Sequence, residues 1–202
     1  MVDTTNTDEQ ALIQAAQRGS RKAFNVLVLR YQDGLYTLAY RIMGEAQSAA
    51  DATQEAFITA FRRLSTYRGG SFRAWLLRIA TNACYDELRR RKRRPVVALD
   101  DLTPIDSDDD PPIPDASDTP EQALQQRELN RAIQDCINGL GEDQRVVLVL
   151  SDIEGLSYQE IADNTGAQVG TVKSRLSRAR ASVRQCLQAV EELLPGAYRL
   201  ME

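Results

Sequence analysis

SYQEIADNTGAQVGTVKSRLSRAR, residues 157–180, reads as two helical segments hinged at one glycine. Ser157 and Glu160 form a capping box, in which hydroxyl and carboxylate each satisfy a main-chain N–H left open by the first turn. Ile161 and Ala162 make this segment's apolar side, and Gly166 supplies the sharp turn that ends it. Beyond the turn, Val169, Val172, Leu176, Ala179 and Val183 recur at steps of three and four on one stripe. Thr171, Lys173, Ser174, Arg175, Ser177 and Arg178 fall outside or beside that stripe. This is the layout of a helix-turn-helix, whose second helix enters the major groove of DNA. Arg and Lys reach phosphates or guanine edges there, and short Ser and Thr side chains let the backbone approach closely. Residues 164–190 hold five Lys and Arg and no Asp or Glu, within a C-terminal part that is otherwise acidic. Such segregation favours DNA over the solvated charged face most helices carry. Leu176 and Val183 are too few to anchor the helix on a membrane.

Charge divides the 202-residue chain into three parts. Residues 1–94 carry 16 Lys and Arg against 9 Asp and Glu, residues 95–120 carry none against 8, and residues 121–202 carry 9 against 12. A basic lobe followed by an acidic tether points to an anionic partner for the lobe. Residues 95–120 also hold six prolines and the run Asp108-Asp109-Asp110. They offer too little apolar surface to offset the entropy of ordering, so a flexible linker and domain boundary is expected.

The first lobe reads as helices throughout. Ser20 caps a helix carrying Phe24, Leu27, Val28, Tyr31, Leu35, Leu38, Ala39 and Ile42, which Gly44 ends. A second helix starts near Ser48 and carries Ala56, Phe57, Ala60, Phe61 and Leu64 up to a break at Tyr67-Arg68-Gly69-Gly70. Ser71 caps a third, with Trp75 reading as core, that runs into six consecutive basic residues, Arg89 to Arg94, and stops at Pro95. That basic run reads either as a solvated helix end or as a track for a phosphate backbone. A short helix over residues 8–17 precedes these three. In the second lobe, Thr119-Pro120-Glu121-Gln122 opens a helix bearing Leu124, Leu129, Ile133, Cys136 and Ile137. Val146 to Leu150, a β-branched run with no second strand to pair with, also reads as helix. The expected fold class is all-α, two small helical domains joined by a flexible acidic linker.

No histidine is present, and Cys84, Cys136 and Cys186 stand far apart with no CxxC pair. Zinc sites and histidine-based triads have no residues to work with, so no catalytic centre, metal or cofactor is expected. The cysteines read as separate buried thiols in a reducing cytosol. The polar, acidic start MVDTTNTDEQA is no signal peptide, and no run nears the roughly 18 apolar residues of a membrane span, so a cytoplasmic protein is expected.

Four motifs in order, AFNVLVLRYQDGLYTLAYR, DATQEAFITAFRRL, SFRAWLLRIATNACYDELRRRKR and EDQRVVLVLSDIEGLSYQEIADNTGAQVGTVKSRLSRAR, resemble the extracytoplasmic-function (ECF) sigma factors. The resemblance covers most of residues 9–190. It implies region 2 over 1–94, for polymerase binding and -10 recognition, a linker over 95–120, and region 4 over 121–202, for -35 recognition. Core RNA polymerase and promoter DNA are the implied partners, with an anti-sigma factor that clamps both lobes. DATQEAF looks like the polymerase-docking surface, with Asp51, Gln54, Glu55 and Phe57 as its residues. Residues 67–82 resemble the element that captures a flipped base of the melted -10 strand. Asn82 matches the base-contacting position there, with Arg68, Ser71, Phe72 and Arg73 forming the loop. Lys173, Ser174, Ser177 and Arg178 match the -35 positions, and Thr171 and Arg175 suit the DNA backbone. The chain departs from the family pattern at Leu140-Gly141-Glu142, where many members have Leu-Pro-Glu, and at Gln168, a poor N-cap.

Two other function classes compete. A two-domain helix-turn-helix regulator not acting as a polymerase subunit shares the GTVK helix, but its receiver domain alternates strands and helices, and residues 1–94 show helical stripes only. A carboxylate-metal nuclease using Asp108, Asp109 and Asp110 needs ligands held in fixed geometry, which a Pro-rich tether does not supply.

Overall fold

The computed structural model describes residues 4–93 and 120–189. Eight α-helices are present among them: α1 (Thr4–Gln17), α2 (Arg21–Met43), α3 (Ala46–Arg63), α4 (Phe72–Arg93), α5 (Pro120–Asn138), α6 (Glu142–Leu148), α7 (Tyr158–Thr165) and α8 (Val169–Gln188). A 3-10 turn, Leu64–Thr66, follows α3, and a π turn, Val149–Ile153, follows α6. The segment expected to be a linker, apart from Pro120, lies outside the described residues, as do Arg94 and Pro95. No helix among the described residues is long and apolar enough to cross a membrane.

In the first lobe the local signals act as expected. The amide of Ala23 donates to Ser20 Oγ at 3.3 Å, and Gly44 closes α2 in the left-handed region at φ 73°. α1 starts four residues before the expected position 8, and α3 starts at Ala46, before Ser48, with Glu45 at its N-cap making no side-chain cap bond. Four of the six buried residues of α3 are alanines, Ala49, Ala52, Ala56 and Ala60, beside Ser48 and Thr53. Side chains that end at Cβ let α2 and α4 pack closely against it. Larger residues from those neighbours, Leu27, Leu35, Leu38, Ile42, Leu76 and Leu77, fill the core. Phe61, expected on the apolar stripe, instead stands 42% exposed, its ring edge-on to Phe24 at 5.0 Å.

In the second lobe, VVLVL is helical, as the absence of a strand partner implies, but its last two residues open into the π turn. All five are buried and anchor the lobe. Cys136 on α5 and Cys186 on α8 are joined by a disulfide, which corrects the expectation of separate thiols. Nothing local announces this pair, since 50 residues separate the two positions. Cys84 alone is a free thiol, fully buried in the first lobe.

The lobes pack on each other. Gln134, buried on α5, accepts from Arg41 Nη1 at 2.9 Å. Arg145 Nη1 donates to the carbonyl of Ile42 at 2.9 Å. Gly44 sits against Asn138 so closely that a Cβ there would meet Asn138 Oδ1 at 2.4 Å. This glycine is therefore required twice, by its positive φ and by the approach of the second lobe.

Candidate nucleic-acid and polymerase interface

The helix-turn-helix forms as its sequence dictates. Glu160 N–H donates to Ser157 Oγ at 3.3 Å, and Ser157 N–H donates to Glu160 Oε2 at 2.8 Å, completing the capping box. The Ser157 hydroxyl and amide both donate to Glu160 and hold its carboxyl below the usual range. Gly166 turns the chain at φ 70°, its amide returning to the carbonyl of Ala162 at 2.9 Å. Gln168 precedes α8 without a side-chain cap bond, as its residue type implies.

Val172, Leu176 and Ala179 bury one side of α8, and Thr171, Lys173, Ser174, Ser177 and Arg178 are exposed on the other. Four of the five cations of this helix divide into two groups. Arg175 pairs with Asp143 of α6, and Arg180 makes a two-pronged pair with Asp152 of the π turn at 2.6 and 2.9 Å. Arg180 holds the Asp152 carboxyl below its usual range, against an opposing push from burial. These arginines fasten α8 to its own lobe. Arg178 has no ion pair among the described residues, and Lys173 Nζ rests 5.7 Å from the Tyr158 ring centroid. Arg175, expected on the DNA backbone, is thus engaged by a carboxylate before any phosphate arrives.

The first lobe departs further from expectation. Asn82 and Arg68 are exposed, but Phe72 is only 2% exposed and its ring packs among Tyr31, Tyr67 and Trp75 at 5.3 to 5.7 Å. Phe72, expected in the exposed loop, is thus enclosed beneath it by three aromatic rings. Trp75, read as core, is half-buried and packs on Tyr67 and Phe72. Ser71 Oγ accepts from the amide of Ala74 at 3.1 Å, capping α4 as expected. Tyr67 Oη donates to the carbonyl of Gly70 at 2.7 Å and ties the loop. Arg73 reaches across the lobes to Glu154 at 2.5 Å. Burial pushes the Glu154 carboxyl up, and Arg73 pulls it back down.

Along α3, Asp51, Gln54 and Glu55 are exposed, and Phe57 is half-buried against the core. Ile58, 37% exposed, and Phe61 extend the Gln54 face with apolar surface that residue type alone assigns to the core. Exposure of large apolar side chains beside polar ones marks a contact surface. The basic end of α4 is largely paired: Arg91 with Glu45 and Glu87, Arg90 with Glu87, and Lys92 with Glu142 of the second lobe. A cleft of about 1150 Å³ between the lobes brings Asp51, Gln54, Glu55, Asn82, Thr171 and Arg175 together.

Residues 27–94 match the Sigma-70 region 2 family model and residues 130–183 the Sigma-70 region 4 model. The chain is 40% identical over 188 residues to the RNA polymerase sigma-H factor of Pseudomonas aeruginosa, covering 91% of this chain and 96% of that one. It is 37% identical to the ECF RNA polymerase sigma-E factor of Escherichia coli K12, over 87% and 92% of the two chains. The chain belongs to the ECF sigma factor family. As an ECF sigma factor it binds core RNA polymerase and directs promoter-specific initiation, the reading carried by both family models together. The solved structure of CnrH in complex with the cytosolic domain of CnrY is similar to this sigma factor with a TM-score of 0.63 and 26% identity. That match covers 90% of this chain and 98% of the other.

Proposed function

We propose that residues 1–94 act as region 2, 95–120 as a tether and 121–202 as region 4, each engaging a different part of one polymerase–promoter complex. The observation that carries this reading is the outer face of α8, where Lys173, Ser174, Ser177 and Arg178 are exposed on a helix that follows a tight turn. In the -35 major groove, Arg178 and Lys173 read guanine edges, Ser174 and Ser177 allow close approach, and Thr171 bonds a phosphate. Arg175 reaches a phosphate only by exchanging it for Asp143. Asn82 holds the flipped -10 base by its amide, with Arg68 and Arg73 on the strand backbone and Ser71 and Phe72 shaping the loop. Asp51, Gln54 and Glu55 dock on the polymerase, with Phe57 packing beneath them. None of this makes or breaks a covalent bond, so the protein acts as an initiation factor and not as an enzyme. Because it acts on polymerase, we assign it to the cytoplasm.

Elements named for positions 10 and 35 lie about 25 base pairs apart, about 85 Å of B-form DNA at 3.4 Å per pair. Asn82 and Thr171 line one cleft, so the lobes part when the promoter is engaged. A tether of 26 residues, 95–120, spans at most about 90 Å when extended, enough for that separation. Tethering raises the effective concentration of each weak contact for the other. A small helical anti-sigma domain that occupies both lobes in the parted state competes with polymerase. CnrH, solved with the cytosolic domain of CnrY, is the supporting likeness.

The test is to add the purified protein to bacterial core polymerase and map transcripts from a genomic promoter pool. Initiation from a defined promoter set is expected. Absence of core binding and of any promoter-specific transcript overturns the reading.

A further inference from the structure

We propose that Cys136 and Cys186 form a reversible thiol–disulfide site that controls how firmly the reading helix α8 is held. The bond closes a 50-residue separation that contains α6, the π turn, α7 and the reading half of α8. It is placed in the last turn of α8, beyond the buried residues of the helix and beyond the Arg180–Asp152 pair. The buried residues of α8, Val172, Leu176 and Ala179, all lie in its first eleven residues; beyond them Arg180 pairs with Asp152 and Val183 packs against the core. At the other end, Cys136 lies between Gln134 and Asn138, the two α5 residues that meet Arg41 and Gly44 of the first lobe. The bond thus links the helix that docks the lobes to the helix that meets DNA.

The two cysteines differ in access. Cys136 is 5% exposed, whereas Cys186 lies on the exposed side of α8. A dithiol reductant therefore attacks the sulfur of Cys186, forming a mixed disulfide and expelling Cys136 as a thiolate that takes up a proton. The reductant's second thiol then attacks its own sulfur in the mixed disulfide and releases Cys186. Two electrons and two protons pass to the protein, and the reductant leaves as a disulfide. A small-molecule disulfide runs the exchange backwards. Cys84 takes no part: it is fully buried, and burial pushes its thiol up to about 12, which keeps the nucleophilic thiolate scarce. Reducing compartments keep ordinary thiols reduced, so a half-exposed disulfide in a transcription factor suits sensing better than permanent bracing. With the bond intact, α8 meets DNA pre-ordered and loses less entropy on binding. The consequence for promoters rests on the proposed role of α8; the bond itself does not.

The experiment equilibrates the full chain in graded ratios of reduced to oxidised glutathione, quenches with acid, and labels thiols with maleimide under denaturing conditions before weighing. One label, at Cys84, is expected in the oxidised form and three in the reduced form, with a single reversible two-electron transition. C84S keeps the transition, while C136S and C186S abolish it. Reduction lowers the melting temperature by about 10 °C and weakens binding to a -35 duplex about threefold or more. A C136S/C186S double variant melts and binds like the reduced form in every buffer. Three labels at all ratios overturn the proposal, as does a bond that forms with melting and DNA binding unchanged. Normal labelling and melting transitions with no DNA or core binding in either state overturn instead the assignment of α8 as promoter reader, and with it the regulatory consequence.

Discussion

Arg145 on α6 donates to the main-chain carbonyl of Ile42 in the last turn of α2, 103 positions earlier in the chain. The same guanidinium donates to the carbonyls of Asn138 and Leu140 at the end of α5, at 2.5 and 3.1 Å. Helix ends leave their last carbonyls without intrahelical donors and gather partial negative charge there. One cation thus closes two helices from different lobes. Arg145→Ala leaves several of these carbonyls without a donor, and a loss of about 2–4 kcal/mol is expected in urea unfolding. Small-angle scattering of the variant is expected to show a larger radius of gyration. An unchanged radius means that Gln134 and Asn138 hold the lobes without it.

Arg178 is exposed and unpaired among the described residues, whereas Arg175 is bound to Asp143. Arg178→Ala is expected to weaken -35 binding about tenfold, the order for one base-reading arginine, with no change in melting. Arg175→Ala is expected to lower melting measurably. Equal losses of DNA affinity with no loss of stability in either variant contradict this division.

Gln54 and Glu55 project from α3 away from its alanine stripe, so truncating both leaves the core intact. The Gln54→Ala, Glu55→Ala double variant is expected to bind core polymerase about tenfold more weakly in a pull-down titration. Its binding to an isolated -35 duplex stays at the parent value. A reversed pattern means that the lobes have exchanged roles.

The Ser157→Ala variant removes both bonds of the Ser157 hydroxyl, from the Glu160 amide and to the Glu160 carboxylate, and leaves the bond from the main-chain amide at 157 to that carboxylate. A loss of about 1 kcal/mol is expected by urea denaturation. Because α7 sets the entry of the turn at Gly166, -35 affinity falls as well. Full affinity in the variant shows that α8 is positioned from α6 alone.

Asp152 gives the pH dependence. Its carboxyl is held below the usual range by Arg180, so the folded state binds its proton later than the unfolded chain does. Its contribution is therefore present above the ordinary carboxylate range near pH 4 and is lost as pH falls through the lowered folded value. Asp152→Asn is expected to cost about 0.5–1 kcal/mol at pH 7, modest because the pair is partly exposed, and progressively less as pH falls through the lowered value. Glu154 runs the other way: its raised carboxyl favours the fold in its protonated form and loses that contribution as pH rises through the raised value. A parent-minus-variant difference that is flat between pH 7 and 2.5 refutes the Asp152 assignment.

The helices, the capping box and the glycine turns were legible in the sequence because each depends on residues within about four positions of one another. Ser20, Gly44, Ser71, Ser157 and Gly166 all act where their types place them. The same locality misplaced Phe72 and Phe61. Near an apolar stripe, an aromatic residue reads as core or as contact according to its neighbours, and only packing decided that Phe72 goes inside and Phe61 stays half outside.

By itself, then, the sequence determined two helical lobes, an acidic Pro-rich stretch between them and a basic α8, since period, caps and charge runs are written locally. The tertiary structure alone decided which cations stay available for DNA, which cysteines meet, and that Arg73 and Arg145 bind one lobe to the other. Those outcomes are contacts between residues 32 to 103 positions apart, set by the closing of a shared core and carried by no local pattern.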